Sequence, residues 1–216
     1  MNLTTLKYNE TALTTLSIPE EAIPNITVLQ FGRQPYIDNP VAVYVPNINE
    51  FTSLTELACY GQEFTLTNPA IKAQLIDLQC YMCNMSELNL TEYSSLIGLT
   101  CYANNLTELV IPENSQITSL YCYGNKLTTL DVTPLGDKLN YLWCGAQESE
   151  LLLKLTESQK NRWNDPENGW YIDADINNDG NGLNRNVKLS VDGQQGGSDV
   201  TNGNTGGSGF TNGGIF

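Results

Sequence analysis

The chain of 216 residues contains no histidine. Ser-His-Asp and Cys-His nucleophilic sites and His-ligated metals are therefore excluded, and the side chain most used for proton transfer near neutral pH is missing. Basic residues are also scarce: ten Lys and Arg stand against 24 Asp and Glu, a formal net charge of −14. Affinity for nucleic acid rests on clustered cations that neutralise phosphates. The ten basic residues are scattered, so neither nucleic acid nor an anionic membrane surface is an expected partner. Nor is there a long hydrophobic run. A membrane-spanning helix needs ~20 apolar residues, and the longest candidate, Leu151-Leu152-Leu153, stops at Lys154. What is present is 40% apolar residues, enough for a continuous core, with only 16% charged and the polar balance carried by Asn, Thr, Ser and Gly.

Self-similarity is the main signal. A unit L-x-x-L-x-C, followed by two spacers, a polar residue and L-x-x-L-x-apolar, recurs along the chain. Its first half reads Leu54/Leu57/Cys59, Leu75/Leu78/Cys80, Leu96/Leu99/Cys101, Ile117/Leu120/Cys122 and Leu139/Leu142/Cys144, with the cysteines 21, 21, 21 and 22 residues apart. Two earlier copies, Leu3/Leu6/Tyr8 and Ile26/Leu29/Phe31, carry an aromatic in the cysteine place and are separated by insertions, including the run from Pro35 to Pro46. Second halves read Leu13/Leu16/Ile18, Met85/Leu88/Leu90, Leu106/Leu109/Ile111 and Leu127/Leu130/Val132.

Each L-x-L-x-C segment alternates as a short strand does, Leu and Cys inward and the residues between them outward. One unit cannot bury its own face, so about seven must stack. The expectation is a predominantly β solenoid of the α/β type, a curved right-handed horseshoe over residues 1–150 with a parallel concave sheet, followed by a cap over 151–191 and a tail over 192–216.

These cysteine-bearing units resemble leucine-rich repeats with a cysteine ladder, as in certain internalins and many surface proteins of Bacteroides-like bacteria. The resemblance implies surface display and recognition of protein or glycan, and a secreted or cell-surface location. The start, Met1-Asn2-Leu3-Thr4-Thr5-Leu6, has neither the basic end nor the apolar block of a signal peptide and opens inside a repeat. A removed export signal would explain that, and so would a truncated reading frame. The family also uses an Asn three residues after each cysteine for a buried ladder to backbone groups. Asn104 and Asn125 match, whereas Cys83, Gln62 and Gln147 depart, so a continuous ladder is not expected.

In-register cysteines on parallel strands sit ~4.8 Å apart with side-by-side Cβ vectors, a poor geometry for disulfides, so free buried thiols are predicted. Zinc wants clustered pairs, and Cys80/Cys83 has that spacing with no second pair. Carboxylate chemistry has only Glu56 and Asp77 on the concave strands, and no enzyme is expected.

The residues after the ladder cysteines, Tyr60, Tyr81, Tyr102 and Tyr123, should form an outward column, joined by Tyr121 and Trp143 in the next column and Tyr141 in the one beyond. Aromatics of this kind suit protein or sugar recognition. Lateral stacking that stabilises the sheet would place them equally well.

Beyond residue 150, Thr156-Glu157-Ser158-Gln159 reads as a capping box starting a short helix to about Trp163, with Trp163 and Trp170 as candidate core covers and Val187–Val191 as a closing strand. Asp175, Asn177, Asp179 and Gly180 resemble a calcium loop, but Asn186 stands where a bidentate acid is wanted, and an Asx-rich turn accounts for the run as well; no cofactor is expected otherwise. The tail, nine Gly in 25 residues, reads as a flexible linker ending in Phe210, Ile215 and Phe216, which could dock on a partner. The whole reads as a monomeric recognition module; the alternative is a structural spacer that interacts through its tail.

Overall fold

The computed structural model describes residues 3–9, 17–32, 46–163, 171–173 and 187–192. Among them are the strands β1 (Thr5–Asn9), β2 (Val28–Gly32), β3 (Glu56–Tyr60), β4 (Asp77–Gln79), β5 (Gly98–Thr100), β6 (Ser119–Tyr121), β7 (Thr129–Asp131), β8 (Tyr141–Trp143), β9 (Leu151–Leu155), β10 (Tyr171–Asp173) and β11 (Val187–Val191). Eight pair in parallel in the order β1-β2-β3-β4-β5-β6-β8-β10, and β11-β9-β7 form a second parallel sheet. This is the β-rich parallel solenoid that the repeat predicts.

The register follows the leucines. Leu6, Leu29, Leu57, Leu78, Leu99, Leu120 and Leu142 are successive Cα partners across the large sheet. From Leu29 to Leu142 they are completely buried, as is the next row, Phe31, Cys59, Cys80, Cys101, Cys122 and Cys144. All six thiols of the chain are free and buried. Burial pushes the Cys101 thiol up to about 12 and holds Cys59, Cys80 and Cys122 well above the ordinary thiol value, because ionisation would put an uncompensated charge in the core.

Two residues past each ladder cysteine the chain turns through the left-handed region: Gly61, Met82, Ala103, Gly124 and Ala146 have φ of 68, 58, 53, 63 and 47°. Three of the five are not glycine. A side chain there costs roughly 1–2 kcal/mol, partly offset by the smaller unfolded-state freedom of a non-glycine residue. Ala103→Gly is therefore expected to stabilise the protein by about 0.5–1 kcal/mol. Ala70→Gly, on a helix, should lose a similar amount. Urea midpoints of the two variants check this, and a lower midpoint for Ala103→Gly would show that the turn carries no strain.

The third residue past the cysteine holds the turns together. Asn104 Nδ2 donates to the carbonyls of Cys80 (2.8 Å) and Cys101 (3.0 Å), while its Oδ1 accepts from the amides of Cys83 (2.9 Å) and Met85 (3.0 Å). Asn125 donates in the same way to Cys101 and Cys122 and accepts from Leu106. The interruption expected at Gln147 does not occur. Its amide, one methylene further out, donates to Cys122 (3.0 Å) and Cys144 (2.9 Å) and accepts from Leu127 (3.0 Å). What the rung needs is a primary amide, and either side chain carries one. The interruption at Cys83 is real, and Gln62 Nε2 beneath it is buried with no partner among the described residues.

Between Cys59 and Leu75, where no second half is legible, a short helix α1 (Pro69–Gln74) takes its place. It starts where Asn68 caps the Ala70 amide (3.0 Å) and Pro69 presets the first helical φ. At the other end both sheets continue past residue 150 into the segment read as a cap. β9 pairs with β7, β11 with β9, and β10 extends the large sheet from β8. The capping box forms: Thr156 N donates to Gln159 Oε1 (2.9 Å) and Gln159 N to Thr156 Oγ1 (3.1 Å), opening α2 (Glu157–Trp163). Gln159 is fully buried and also donates to Val132 O and Gly136 O, which ties α2 to the preceding unit. Trp170, the Asp175–Gly180 loop, the Pro35 insertion, Leu13, Leu16, the side chain of Trp163 and the tail from residue 193 lie outside what is described.

Candidate functional site

The outward side chains of the large sheet fall into three columns. The first runs Val28, Glu56, Asp77, Gly98, Ser119, Tyr141 and the second Gln30, Ala58, Gln79, Thr100, Tyr121, Trp143, by direct strand register. The third is the tyrosine column. Parallel strands ~4.8 Å apart bring identical residues face to face, and the Tyr60–Tyr81, Tyr81–Tyr102 and Tyr102–Tyr123 ring centroids are 5.0, 4.5 and 4.5 Å apart with interplanar angles of 4, 11 and 8°. Burial, then the neighbouring phenols Tyr102 and Tyr60, push the Tyr81 hydroxyl above its ordinary value.

At the C-terminal end the column meets Trp143, tilted against Tyr123 at 6.0 Å and edge-on to Tyr121 at 5.4 Å. Tyr141 stands 48% exposed beside them. The structure thus brings together all seven aromatic residues that the sequence singles out. It also divides them, which the sequence does not foretell. Tyr60 is only 5% exposed, with Gln30 Nε2 reaching its hydroxyl at 3.5 Å, and Ala58 beside it is buried too. The accessible part of the tyrosine column begins at Tyr81.

Glu56 and Asp77 are register neighbours on β3 and β4. Asp77 Oδ2 accepts a 2.7 Å hydrogen bond from Gln79, and Oδ1 leans over Gly98, where a Cβ would strike it. Burial raises the Asp77 pKa, the Gln79 bond opposes the rise, and the Glu56 charge adds to it. Two carboxylates side by side on one sheet do not face each other across a substrate as glycosidase pairs do. They form an acidic, amide-braced shelf beside the aromatic strip. An open groove of about 580 Å³ lies elsewhere, between Leu109 and Pro134 beside β7. Among the described residues no group of three or more Cys, Asp or Glu is placed to hold a metal ion, and no helix is long and apolar enough to cross a membrane.

A parallel solenoid with a buried free-thiol ladder, amide rungs and an aromatic outward sheet has the architecture of a leucine-rich-repeat-like protein. No protein-family model and no curated protein matches the chain. A solved structure does: the functional domain of InlJ from Listeria monocytogenes, described as including a cysteine ladder, is similar at 27% identity with a TM-score of 0.52. The match covers 70% of this chain and 39% of that one, so this chain spans well under half of the protein it resembles. The likeness supports the leucine-rich-repeat-like fold.

Proposed function

We propose that the chain is a recognition module, exported or displayed at a cell surface, which binds a protein or glycan through the outward aromatic face. The observation that carries this reading is the continuity of Tyr81, Tyr102 and Tyr123 with Tyr121, Trp143 and the exposed Tyr141 on one sheet face. Rigid aromatics offer large contact area for few frozen torsions and keep polar tips for hydrogen bonds. The Glu56–Asp77 shelf adds acceptors for a cationic side chain or for sugar hydroxyls. Its likeness to an internalin-type ladder protein favours binding over catalysis.

A second reading has one observation in its favour. Near-coplanar stacking is what lateral stabilisation of the sheet requires, so the column would form in a spacer or assembly protein that interacts through its tail.

The test is a glycan-array and host-protein screen of the full chain beside Tyr81→Ala/Tyr102→Ala/Tyr123→Ala. The expected outcome is a ligand whose affinity falls at least ~10-fold in the triple variant, with a thermal midpoint only modestly lower. A ligand that binds both forms equally but is lost on removing residues 192–216 would establish the spacer reading instead.

A further inference from the structure

One turn of the ladder is built differently from the rest. Cys83 stands where the next units carry Asn104 and Asn125, three residues past the ladder cysteine. Its Sγ lies 3.1 Å from the carbonyl oxygen of Cys59 and 3.4 Å from that of Tyr81, and the two thiols are close enough to shift each other's protonation. Ladder thiols on adjacent strands run side by side, which disfavours a disulfide. Cys83 comes from the turn, outside the strand register, and reaches the backbone of Cys59 from the neighbouring unit.

The same turn is held by Asn104 on the side of the following unit but has no side-chain amide of its own to hold the preceding one. Met82 and Asn84 both hold left-handed φ values, 58 and 57°, without being glycine. Gln62 Nε2 is buried beside it with no partner among the described residues. The tyrosine rings across this joint are 5.0 Å apart, against 4.5 Å at the next two. Both thiols are buried, Cys59 fully and Cys83 with 2% exposure, so a reagent reaches them when this turn opens locally, the event its strain favours.

We propose that Cys59 and Cys83 are a thiol-oxidation site, closed to an intramolecular disulfide by a small-molecule disulfide. The Cys59 thiol, aided by the backbone N–H groups of Gln62 and Gly61, pulls the Cys83 thiol below its ordinary value against burial, while burial and Cys83 hold Cys59 up. Cys83 is therefore the attacking thiolate. It displaces one thiolate from the oxidant and forms a mixed disulfide. Cys59 then loses its proton, attacks the Cys83 sulfur and expels the second thiolate. Two protein thiols are oxidised, one external disulfide is reduced to two thiols, and two protons are released. The bond supplies the link that the missing amide rung leaves out, joining the irregular N-terminal units to the regular ones beneath the first two tyrosines of the column.

The full chain is incubated with oxidised glutathione, alkylated under denaturation and mapped by mass spectrometry. The expected product is one Cys59–Cys83 disulfide with four alkylated thiols, and a thermal midpoint several degrees higher that returns to its starting value with dithiothreitol. Cys83→Asn, which offers a ladder amide, and Cys83→Ser should each keep five alkylated thiols and show no oxidant-dependent shift. Six alkylated thiols after oxidation, a Cys80–Cys83 bond, a persistent glutathione adduct at Cys83 or an unchanged midpoint in the bridged form would each overturn the proposal.

Discussion

Raising the pH from 8 to 11 in the presence of a reductant is expected to unfold the protein, steeply and from about pH 9 upward. In the unfolded chain thiols ionise near pH 8.5. In the fold Cys101 is pushed up to about 12, and Cys59, Cys80 and Cys122 are raised by the same burial. Between those values the unfolded state binds fewer protons than the folded one, so stability is fully present below the unfolded pKa and falls as pH rises. Each such thiol costs about 1.4 kcal/mol per pH unit, and four together about 5. A fold of ordinary stability, about 5–15 kcal/mol, cannot survive two or three units of that slope. Urea midpoints measured from pH 7 to 10.5 would give the slope directly. The double variant Cys101→Ala/Cys122→Ala should be weaker at pH 7 yet lose stability with pH about half as steeply. A flat profile in the native sequence would mean that the ladder thiols ionise in place, contrary to their burial.

Asn104→Ala is expected to cost about 3–5 kcal/mol, far above the usual effect of a single substitution. It deletes five contacts at once and leaves the carbonyls of Cys80, Cys101 and Tyr102 and the amides of Cys83 and Met85 without their side-chain partner. Because each unit of a solenoid is held chiefly by its neighbours, the loss should loosen the joint between two units and can split a single unfolding transition into two. Asn105→Ala is the control. Its side chain is half-buried and, among the described residues, bonds only that of Asn84, so the change should stay within about 0.5 kcal/mol. Asn104→Gln should recover part of the loss, since Gln147 fills the equivalent place. Equal midpoints for Asn104→Ala and Asn105→Ala in urea would sink the argument that the rungs hold the turns.

The two effects draw on different parts of the same repeat, and that difference tracks what could be read in advance. A 21-residue spacing of cysteines between leucines places the thiols in one row, and rows on parallel strands are close-packed. Burial of the thiols, the leucine register, the stacking of the tyrosines and the Thr156–Gln159 box were all legible for that reason: each depends on spacing within a unit or on a local motif. Gln147 does not match the asparagine pattern, yet it completes a rung, because the space there accepts an amide that reaches the same carbonyls.

The rest depends on what occupies the space between units, which no periodicity encodes. That Tyr60 is covered while Tyr141 is open, that Asp77 beside Glu56 is braced by Gln79 and leans over Gly98, and that β10 extends the sheet past the last legible unit are results of three-dimensional contact. So is the meeting of Cys83 with Cys59 rather than with Cys80, its neighbour at zinc-like spacing. By itself the sequence determined the repeating strand, its inward rows and its aromatic outward row, because a period acts on every unit alike. Only the tertiary structure decided which members of each row are reachable and which rung is missing its amide, because those depend on how one particular unit packs on the next.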